Sequence, residues 1–526
     1  MVVNSLNDPP RRVTDDFLAQ LGGTRGGQTQ RGDGDEDRHG FHINFESKMA
    51  LNRVHLKWKD AMWHRGRGAE YAGGTTVCFG FGACKQPANG CLLSFMIRTI
   101  GFLLLGFVQP VFSGGLSVQA PELSDYVLAP APATTTCLLR QGDRLAICGD
   151  SITEQHLYSA LLESYLTACL PELGITCRQY GWSGEQASGF LRRLKSDVLR
   201  FKPTVATTCY GMNDFHYVPY QDSIAAEYRK NQTAIIDAFQ SIDCRVVLGS
   251  PGIIDCVPGW VKTAEGTQKD LNLALSRFRN INMEIANTKK VAFADIFQPM
   301  LAADLAAKRQ YGADFKIAGK DGVHPGLAGQ LIMAYGFLKG MGVNGDLGTI
   351  TYDEVTGSVG TTQGHLVMGA EMGKITLRSG RIPFSPGPGA VDRDDSIRAG
   401  LAQVPFDDEL NRFILRIQQP KAQNYKVTWG DQAKEYTARQ LVDGINLAKD
   451  FDNHPLVGAF QKVFEAVVRK QEYETRQIKM LVHGPEGAAD VDSTFALTEK
   501  VRDPLEKAVC NSVQPIQHVI EISAFP

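Results

Sequence analysis

Residues 143–150 read DRLAICGD, residues 151–153 continue SIT, and residues 156–170 read HLYSALLESYLTACL. The first stretch is a short apolar run closed by Gly149-Asp150, the pattern of a buried strand that ends in a turn. The second places apolar residues at helical spacing. The same alternation recurs downstream. ITCRQYGWSG (175–184) reads as strand then loop, and ASGFLRRLKSDVLRF (187–201) as an amphipathic helix. PTVATTCYG (203–211) and CRVVLGSP (244–251) read as strands on either side of the helix IAAEYRKNQTAIIDAFQSI (224–242). A helix over 266–287, the strand VAFADIF (291–297) and the helix GLAGQLIMAYGFLKGMG (326–342) complete the series. Strands and helices alternating through short links imply a parallel sheet covered by helices on both faces. In such a sheet, ligands bind beyond the carboxyl ends of the strands.

Outward from this segment the texture changes in both directions. From about Asn344 the chain is Gly-rich, with strand-like runs KITLRSGRI (374–382), NRFILRIQQ (411–419) and NYKVTWGD (424–431). Two helices are expected after them, over ARQLVDGINLAKDF (438–451) and GAFQKVFEAVVRKQEYETRQIKML (458–481). Residues 344–526 are therefore expected to be an α+β accessory region following a hydrolase-sized domain at 121–343. Residues 1–95 lack a helical or strand period and are expected to be a disordered or non-native leader. Met96-Ile97-Arg98-Thr99 then opens a run, IGFLLLGFVQPVF (100–112), with one cation, a short apolar core and small residues after it. That is a secretory signal pattern, so residues 96–120 are expected to be a signal peptide of a secreted or periplasmic protein.

Hydrophobic residues make up 43% of the 526-residue chain and charged residues 21%, enough for a large core and against global disorder. The net charge of -2 gives no bulk attraction to nucleic acid or to an anionic membrane surface. Stable membrane insertion after processing is not expected, and nothing in the sequence sets the oligomeric state. Eight cysteines follow Met96, without CxxC pairs or His-rich spacing, which argues against a zinc cluster. An oxidising compartment would permit disulfides, with Cys169–Cys177 and Cys244–Cys256 as the near pairs, whereas Cys148 and Cys209 read as buried hydrophobes.

Four motifs are expected to fall after strands. Ser151, in Gly149-Asp150-Ser151-Ile152-Thr153, lies between a strand and a helix, and a serine hydroxyl needs a base to become a nucleophile. Asp321-Gly322-Val323-His324 offers that base: three residues in one turn let Asp321 hold one imidazole nitrogen of His324 while the other faces outward. The oxyanion of a tetrahedral intermediate needs preorganised donors. Asn213, in Gly211-Met212-Asn213-Asp214, supplies a side-chain amide, and Gly184, in Trp182-Ser183-Gly184-Glu185, a backbone N–H. Ser151's own N–H, at the start of its helix, is a third donor. Singly, each motif is an ordinary turn; four in order, each after a strand, are not.

GDSIT, the glycine of GWSGEQ, GMND and DGVHP together resemble the four sequence blocks of the SGNH (GDSL-type) hydrolases. The resemblance runs from about Arg144 to Leu338, and the C-terminal region is similar to extensions on some bacterial members. It implies a flavodoxin-like three-layer α/β/α fold without metal or cofactor. It also implies Ser151 as nucleophile, His324 as base with Asp321 as partner, and Ser151, Gly184 and Asn213 as oxyanion donors, with Gly181 and Gly189 also flanking the Gly184 block. The implied reaction is ester hydrolysis through an acyl-enzyme, with a small-molecule or glycan ester as substrate. Carbohydrate deacetylation is the leading expectation; thioesters and lysophospholipids are the alternatives.

Two other classes compete. A metal-dependent phosphoesterase would gather Asp150, Asn213, Asp214, His216, Asp321 and His324 around cations, but it leaves Ser151 idle and lacks the further histidine motifs of that class. A decayed hydrolase acting as a carbohydrate-binding module is the other, and the presence of every required side chain weighs against it. Of the aromatics near the motifs (Trp182, Tyr210, Phe215, His216, Tyr217, Tyr220 and Trp260), Tyr210 is expected to be core packing.

Overall fold

The computed structural model describes residues 121–525. The expected leader and signal peptide lie outside the described residues.

Five parallel strands form the central sheet: β1 (Arg144–Gly149), β2 (Thr176–Gln179), β3 (Val205–Cys209), β4 (Arg245–Gly249) and β5 (Ala292–Ala294). Their order is β2-β1-β3-β4-β5, with Leu145 paired to both Cys177 and Val205. β1 and β3 are buried nearly throughout because both of their faces are covered, which explains their apolar, non-alternating sequences. The helices are α1 (Ser151–Glu154), α2 (Tyr158–Cys169), α3 (Ala187–Asp197), α4 (Asp222–Gln240), α5 (Gln268–Lys289), α6 (Phe297–Tyr311) and α7 (Leu327–Gly340). α3, α4 and α5 pack in sequence as one layer, and α2 packs on α7 in the other. This is the covered parallel sheet that the strand–helix alternation implied, in the flavodoxin-like α/β/α layering that the resemblance implied. Helix α6 escaped the sequence reading: its Ala-rich stretch carries weak periodicity, yet it packs on α5 and α7 and buries Phe297, Met300 and Leu301.

The C-terminal region builds two further sheets. β6 (Asp346–Asp353) pairs with β7 (Val359–Thr361) and with β10 (Arg412–Gln418), which pairs with β13 (Ile445–Asn446). The other sheet runs β12 (Gln432–Thr437), β11 (Asn424–Trp429), β14 (Ile516–Phe525), β9 (Lys374–Ser379), β8 (His365–Glu371). The three runs read as strands form β9, β10 and β11. The helix expected over 438–451 is instead broken: Ala438–Asp443 is helical, Gly444 adopts φ +101°, and β13 follows. The next helix forms as α8 (Val457–Thr475) and passes into a π-helical turn at Arg476–Val482. α9 (Val491–Ser512) and β14 were not anticipated, being less regular in pattern.

One buried core runs through both regions. Eleven residues of α2 are buried, which an ordinary amphipathic helix does not achieve; α8 covers the face that would otherwise meet water. Polar side chains make this junction specific. Lys470 of α8, fully buried, sits 2.7 Å from Glu163 of α2 and 3.2 Å from Glu474. Gln471 Nε2 donates to Glu163 at 2.7 Å. Edge strand β2 is closed by α8 and α9: Lys470 and Arg502 donate to the Cys177 carbonyl at 2.5 and 2.7 Å, and Glu474 accepts the Gln179 N–H at 3.0 Å. An exposed strand edge is thereby satisfied by charged side chains rather than left open to pairing with another chain.

All eight described cysteines are free thiols, so neither near pair is a disulfide. Cys169 ends α2 beside Arg381 and Glu172, whereas Cys177 faces the Glu163–Lys470 cluster from β2. Cys244 is buried and Cys256 is exposed. Proximity in sequence did not place either pair in bonding register.

Candidate active site

The order β2-β1-β3 makes the gap beyond the ends of β1 and β3 the topological switch point, where neighbouring loops diverge and open a crevice. Ser151 enters it directly after β1, as the first residue of α1. Asp150 caps that helix, accepting the Ile152 N–H at 3.0 Å. Burial is the larger influence on the Asp150 carboxyl and pushes its pKa up to about 7, against the lowering effect of the Ile152 N–H and His324.

On the neighbouring strand, β3 delivers Gly211-Met212-Asn213-Asp214. Buried Asp214 accepts the Gly211 N–H at 3.0 Å and the Ala187 N–H at 2.9 Å, tying this turn to the start of α3. Asn213 Nδ2 donates to the Glu185 carbonyl at 3.1 Å, and Gln186 Nε2 returns a bond to the Asn213 carbonyl at 3.1 Å. Asn213's amide is thus oriented through one proton, leaving the other without an acceptor among the described residues. The loop carrying Gly184 is held against Asn213 by the same bonds.

The three glycines of that loop separate cleanly. A Cβ on Gly181 would lie 2.3 Å from the Glu154 nitrogen, so this glycine lets the loop press against α1. Gly189 lies within α3. Gly184 is exposed at φ +73°, nothing stands within 4 Å of where its Cβ would be, and its N–H meets no acceptor among the described residues. Geometry therefore favours Gly184 as the oxyanion candidate of this loop.

His324 arrives from the loop before α7. Its Nε2 lies 2.8 Å from Ser151 Oγ and its Nδ1 2.7 Å from Asp321 Oδ2. Asp321 Oδ1 accepts the N–H groups of Val323 and His324, both at 2.9 Å, which fixes the carboxylate before it meets the ring. Burial alone would lower the His324 pKa; the hydrogen bond and charge of Asp321, with a contribution from Asp150, outweigh it and hold the pKa above the ordinary 6.5. Asp321 moves the opposite way: burial raises its pKa, but the bonds from His324 and the two amides bring it below 3.8. Serine, imidazole and carboxylate form one hydrogen-bonded chain, the arrangement that moves a proton off a nucleophile.

Most aromatics near the motifs are packing. Tyr210 is fully buried, stacks on Phe190 and donates to Glu185 at 3.0 Å; Phe215 and Tyr217 are buried as well. Trp182 and Tyr220 are partly buried against the core, whereas His216 and Trp260 are exposed; Trp260 is 50% exposed, with its ring centroid 6.2 Å from that of His324 and 5.5 Å from Tyr217. The acids of the metal-centre alternative are already engaged: Asp150 with the Ile152 N–H, Asp214 with two amides, Asp321 with His324. Among the described residues no group of three or more His, Cys, Asp or Glu is placed to hold a metal ion.

Sequence reasoning missed the contribution of the C-terminal region. Lys479, in the π-helical turn, sits 2.7 and 2.9 Å from the two Glu154 oxygens, and Glu154 also accepts the Ser183 N–H beside Gly184. Thr475 meets His156 at 2.7 Å and donates to Gln179 Oε1 at 3.3 Å. No local pattern signals contacts spanning some 300 positions; the one hint is Glu154 itself, an acid in the first turn of α1.

Residues 147–332 match the GDSL-like Lipase/Acylhydrolase family. An acetylxylan esterase of Geobacillus stearothermophilus is 27% identical over 221 residues, covering 38% of this chain and 94% of the relative. Among solved structures, a gut microbial diltiazem-metabolizing enzyme superposes with a TM-score of 0.59 at 21% identity, over 75% of this chain and 100% of its own. That span takes in the C-terminal region, so the fold of both parts recurs in one solved chain. Residues 147–332 are therefore a domain of the GDSL-like lipase/acylhydrolase family, the SGNH hydrolases that the four motifs resemble, and the chain that carries it is an ester hydrolase.

Proposed function

We propose that this protein is a serine esterase that removes acetyl groups from a glycan, with Ser151 as nucleophile. The observation that carries the mechanism is the Ser151–His324–Asp321 chain at 2.8 and 2.7 Å, set at the switch point of the sheet. His324, neutral, takes the Ser151 proton through Nε2 as Oγ attacks the ester carbonyl; Asp321 fixes the tautomer and stabilises the imidazolium. The developing oxyanion meets the N–H groups of Ser151 and Gly184 and the remaining amide proton of Asn213. His324 then protonates the departing alcohol. Water, deprotonated by the same imidazole, cleaves the acyl-enzyme and restores Ser151.

Support for a glycan comes from two sides. The relative that shares 94% of its length with this chain is an acetylxylan esterase. Trp260, half exposed beside His324, offers a flat apolar face of the kind sugar rings stack on. Export from the cell, through the signal pattern after Met96, fits an enzyme whose polymeric substrate is outside. The test is a screen of purified protein against acetylated xylan, acetylated pectin and p-nitrophenyl esters of rising chain length. Acetate release from the polysaccharides and a steep fall beyond short acyl chains are expected; preference for long-chain esters would overturn the glycan assignment.

A further inference from the structure

Ser151 starts a helix that follows directly on β1, but His324 comes on a long loop, 312–326, that contains no helix or strand. That loop must be held at hydrogen-bonding distance from the nucleophile. Part of the restraint is local. The Gly322 N–H donates to the Gly319 carbonyl at 2.9 Å, and a Cβ on Gly319, at φ +84°, would come within 1.8 Å of the His324 carbonyl oxygen. These contacts shape the turn without fixing where it stands.

Its place is set by Asp255, in the loop after β4. The Asp255 N–H donates to the Gly322 carbonyl at 2.9 Å, inside the Asp321–His324 turn, and its Oδ2 accepts the N–H of Ala318. One residue therefore grips the base-carrying segment at two points. The fit is close: a Cβ on Gly322, at φ +83°, would lie 2.5 Å from Cys256 Sγ and 2.7 Å from the Cys256 carbonyl oxygen. Asp394 of the C-terminal region also reaches this loop, accepting the Lys316 N–H at 3.1 Å, but outside the turn.

Asp255 is held in its own right. Its side chain is fully buried, its other oxygen meets Lys308 of α6, and Lys308 also binds Asp304, one turn earlier, at 2.7 Å. Burial first, and then the neighbouring Asp255, push the Asp304 carboxyl up to about 7, so this acid can carry a proton and share it with Asp255. The position of the loop is thus tied through one locked carboxylate to the frame of α6.

We propose that Asp255 is a positioning residue for ester hydrolysis, setting the reach of His324 to Ser151 through Ala318 and Gly322. This rests on the Ser151–His324 reading above. Asp255 acts through the loop and not on the reacting atoms.

The test separates placement from charge in the full-length protein. Asp255→Glu keeps the charge that Lys308 meets but carries it one methylene further, so the loop should shift. Its kcat on p-nitrophenyl acetate should fall about 10- to 100-fold, with KM within about threefold and fluorophosphonate labelling of Ser151 slowed in step. Asp255→Ala, which removes the acceptor without adding bulk, should lose as much, and serves if the glutamate variant does not fold. Asp255→Asn keeps an acceptor where the carboxylate meets Ala318, so its kcat should stay within about threefold of wild type while its melting temperature falls. Asp304→Asn stands in for the protonated acid and should leave kcat unchanged. Wild-type kcat in Asp255→Glu or Asp255→Ala, with only a lower melting temperature, would make Asp255 a stabilising residue and overturn the proposal. So would an asparagine variant as slow as those two, or a loss confined to KM. Failure of the Ser151 reading shows separately, as wild-type protein that the probe does not label.

Discussion

Glu154 joins the nucleophile helix, the oxyanion loop and the C-terminal region, and its removal should expose what that region contributes to turnover. Glu154→Ala abolishes the acceptor for the Ser183 N–H and the Lys479 ion pair at 2.7 and 2.9 Å. The two side chains are 20% and 25% exposed, so solvent screens the pair and its loss costs at most about 1 kcal/mol. Losing the acceptor of the Ser183 N–H costs about 1 kcal/mol more, because water replaces it at this exposed loop. The sum bounds the loosening of the Gly184 loop at about 2 kcal/mol, or roughly 30-fold in rate. With part of that absorbed elsewhere, kcat on p-nitrophenyl acetate should fall about tenfold. KM should change little, since the Gly184 N–H matters most once the oxyanion forms. Glu154→Gln keeps an acceptor for Ser183 and loses only the ion pair, so it should stay within about threefold of wild type. The assay is steady-state kinetics on both variants, with thermal melts to exclude unfolding. Alanine and glutamine variants of equal kcat, or a loss confined to KM, would refute the reasoning.

Three other changes probe the remaining parts of the site. Asn213→Ala should lower kcat by about 10²- to 10³-fold with KM nearly unchanged, as expected for a donor that acts on the oxyanion; a KM effect would make it a substrate-binding residue instead. Because Asp321 holds the His324 pKa above 6.5, the acid limb of the kcat/KM profile should lie above that value in the wild type. Asp321→Asn should shift this limb to lower pH while reducing kcat by about 10³- to 10⁴-fold through loss of the fixed tautomer; a limb that does not move would dissociate Asp321 from the base. Trp260→Ala should raise KM for an acetylated oligosaccharide by about tenfold, since a stacking platform of this kind contributes about 1–2 kcal/mol, and leave p-nitrophenyl acetate little affected.

The parallel sheet and the site were largely legible because both rest on local signals. Continuous apolar strands, helical periods and glycine turns mark the β1–α1 and β3 junctions, and Ser151, Gly184 and Asn213 each sit within a few positions of the strand end that delivers them; Asp321 and His324, expected after a strand, come instead from the loop between α6 and α7. The choice among Gly181, Gly184 and Gly189 was not legible, because it depends on what a Cβ would meet in three dimensions. The C-terminal region was less readable for a related reason. Its strands β9, β10 and β11 carry their own pattern, but β14 pairs with β9 and β11 across long separations, and the break at Gly444 is a single backbone conformation inside a helix-like sequence. The grip of α8 on α2 left only an indirect trace, a helix apolar on too many sides to face water.

The central claim is that Ser151 is an activated nucleophile, and covalent labelling tests it most directly. Full-length protein is treated with a fluorophosphonate probe at neutral pH, and the modified residue is located by mass spectrometry. The account predicts one adduct per chain on Ser151, absent from Ser151→Ala and greatly slowed in His324→Ala, with ester hydrolysis lost in step. Labelling of another residue, or a Ser151→Ala protein that still cleaves p-nitrophenyl acetate near the wild-type rate, would contradict it.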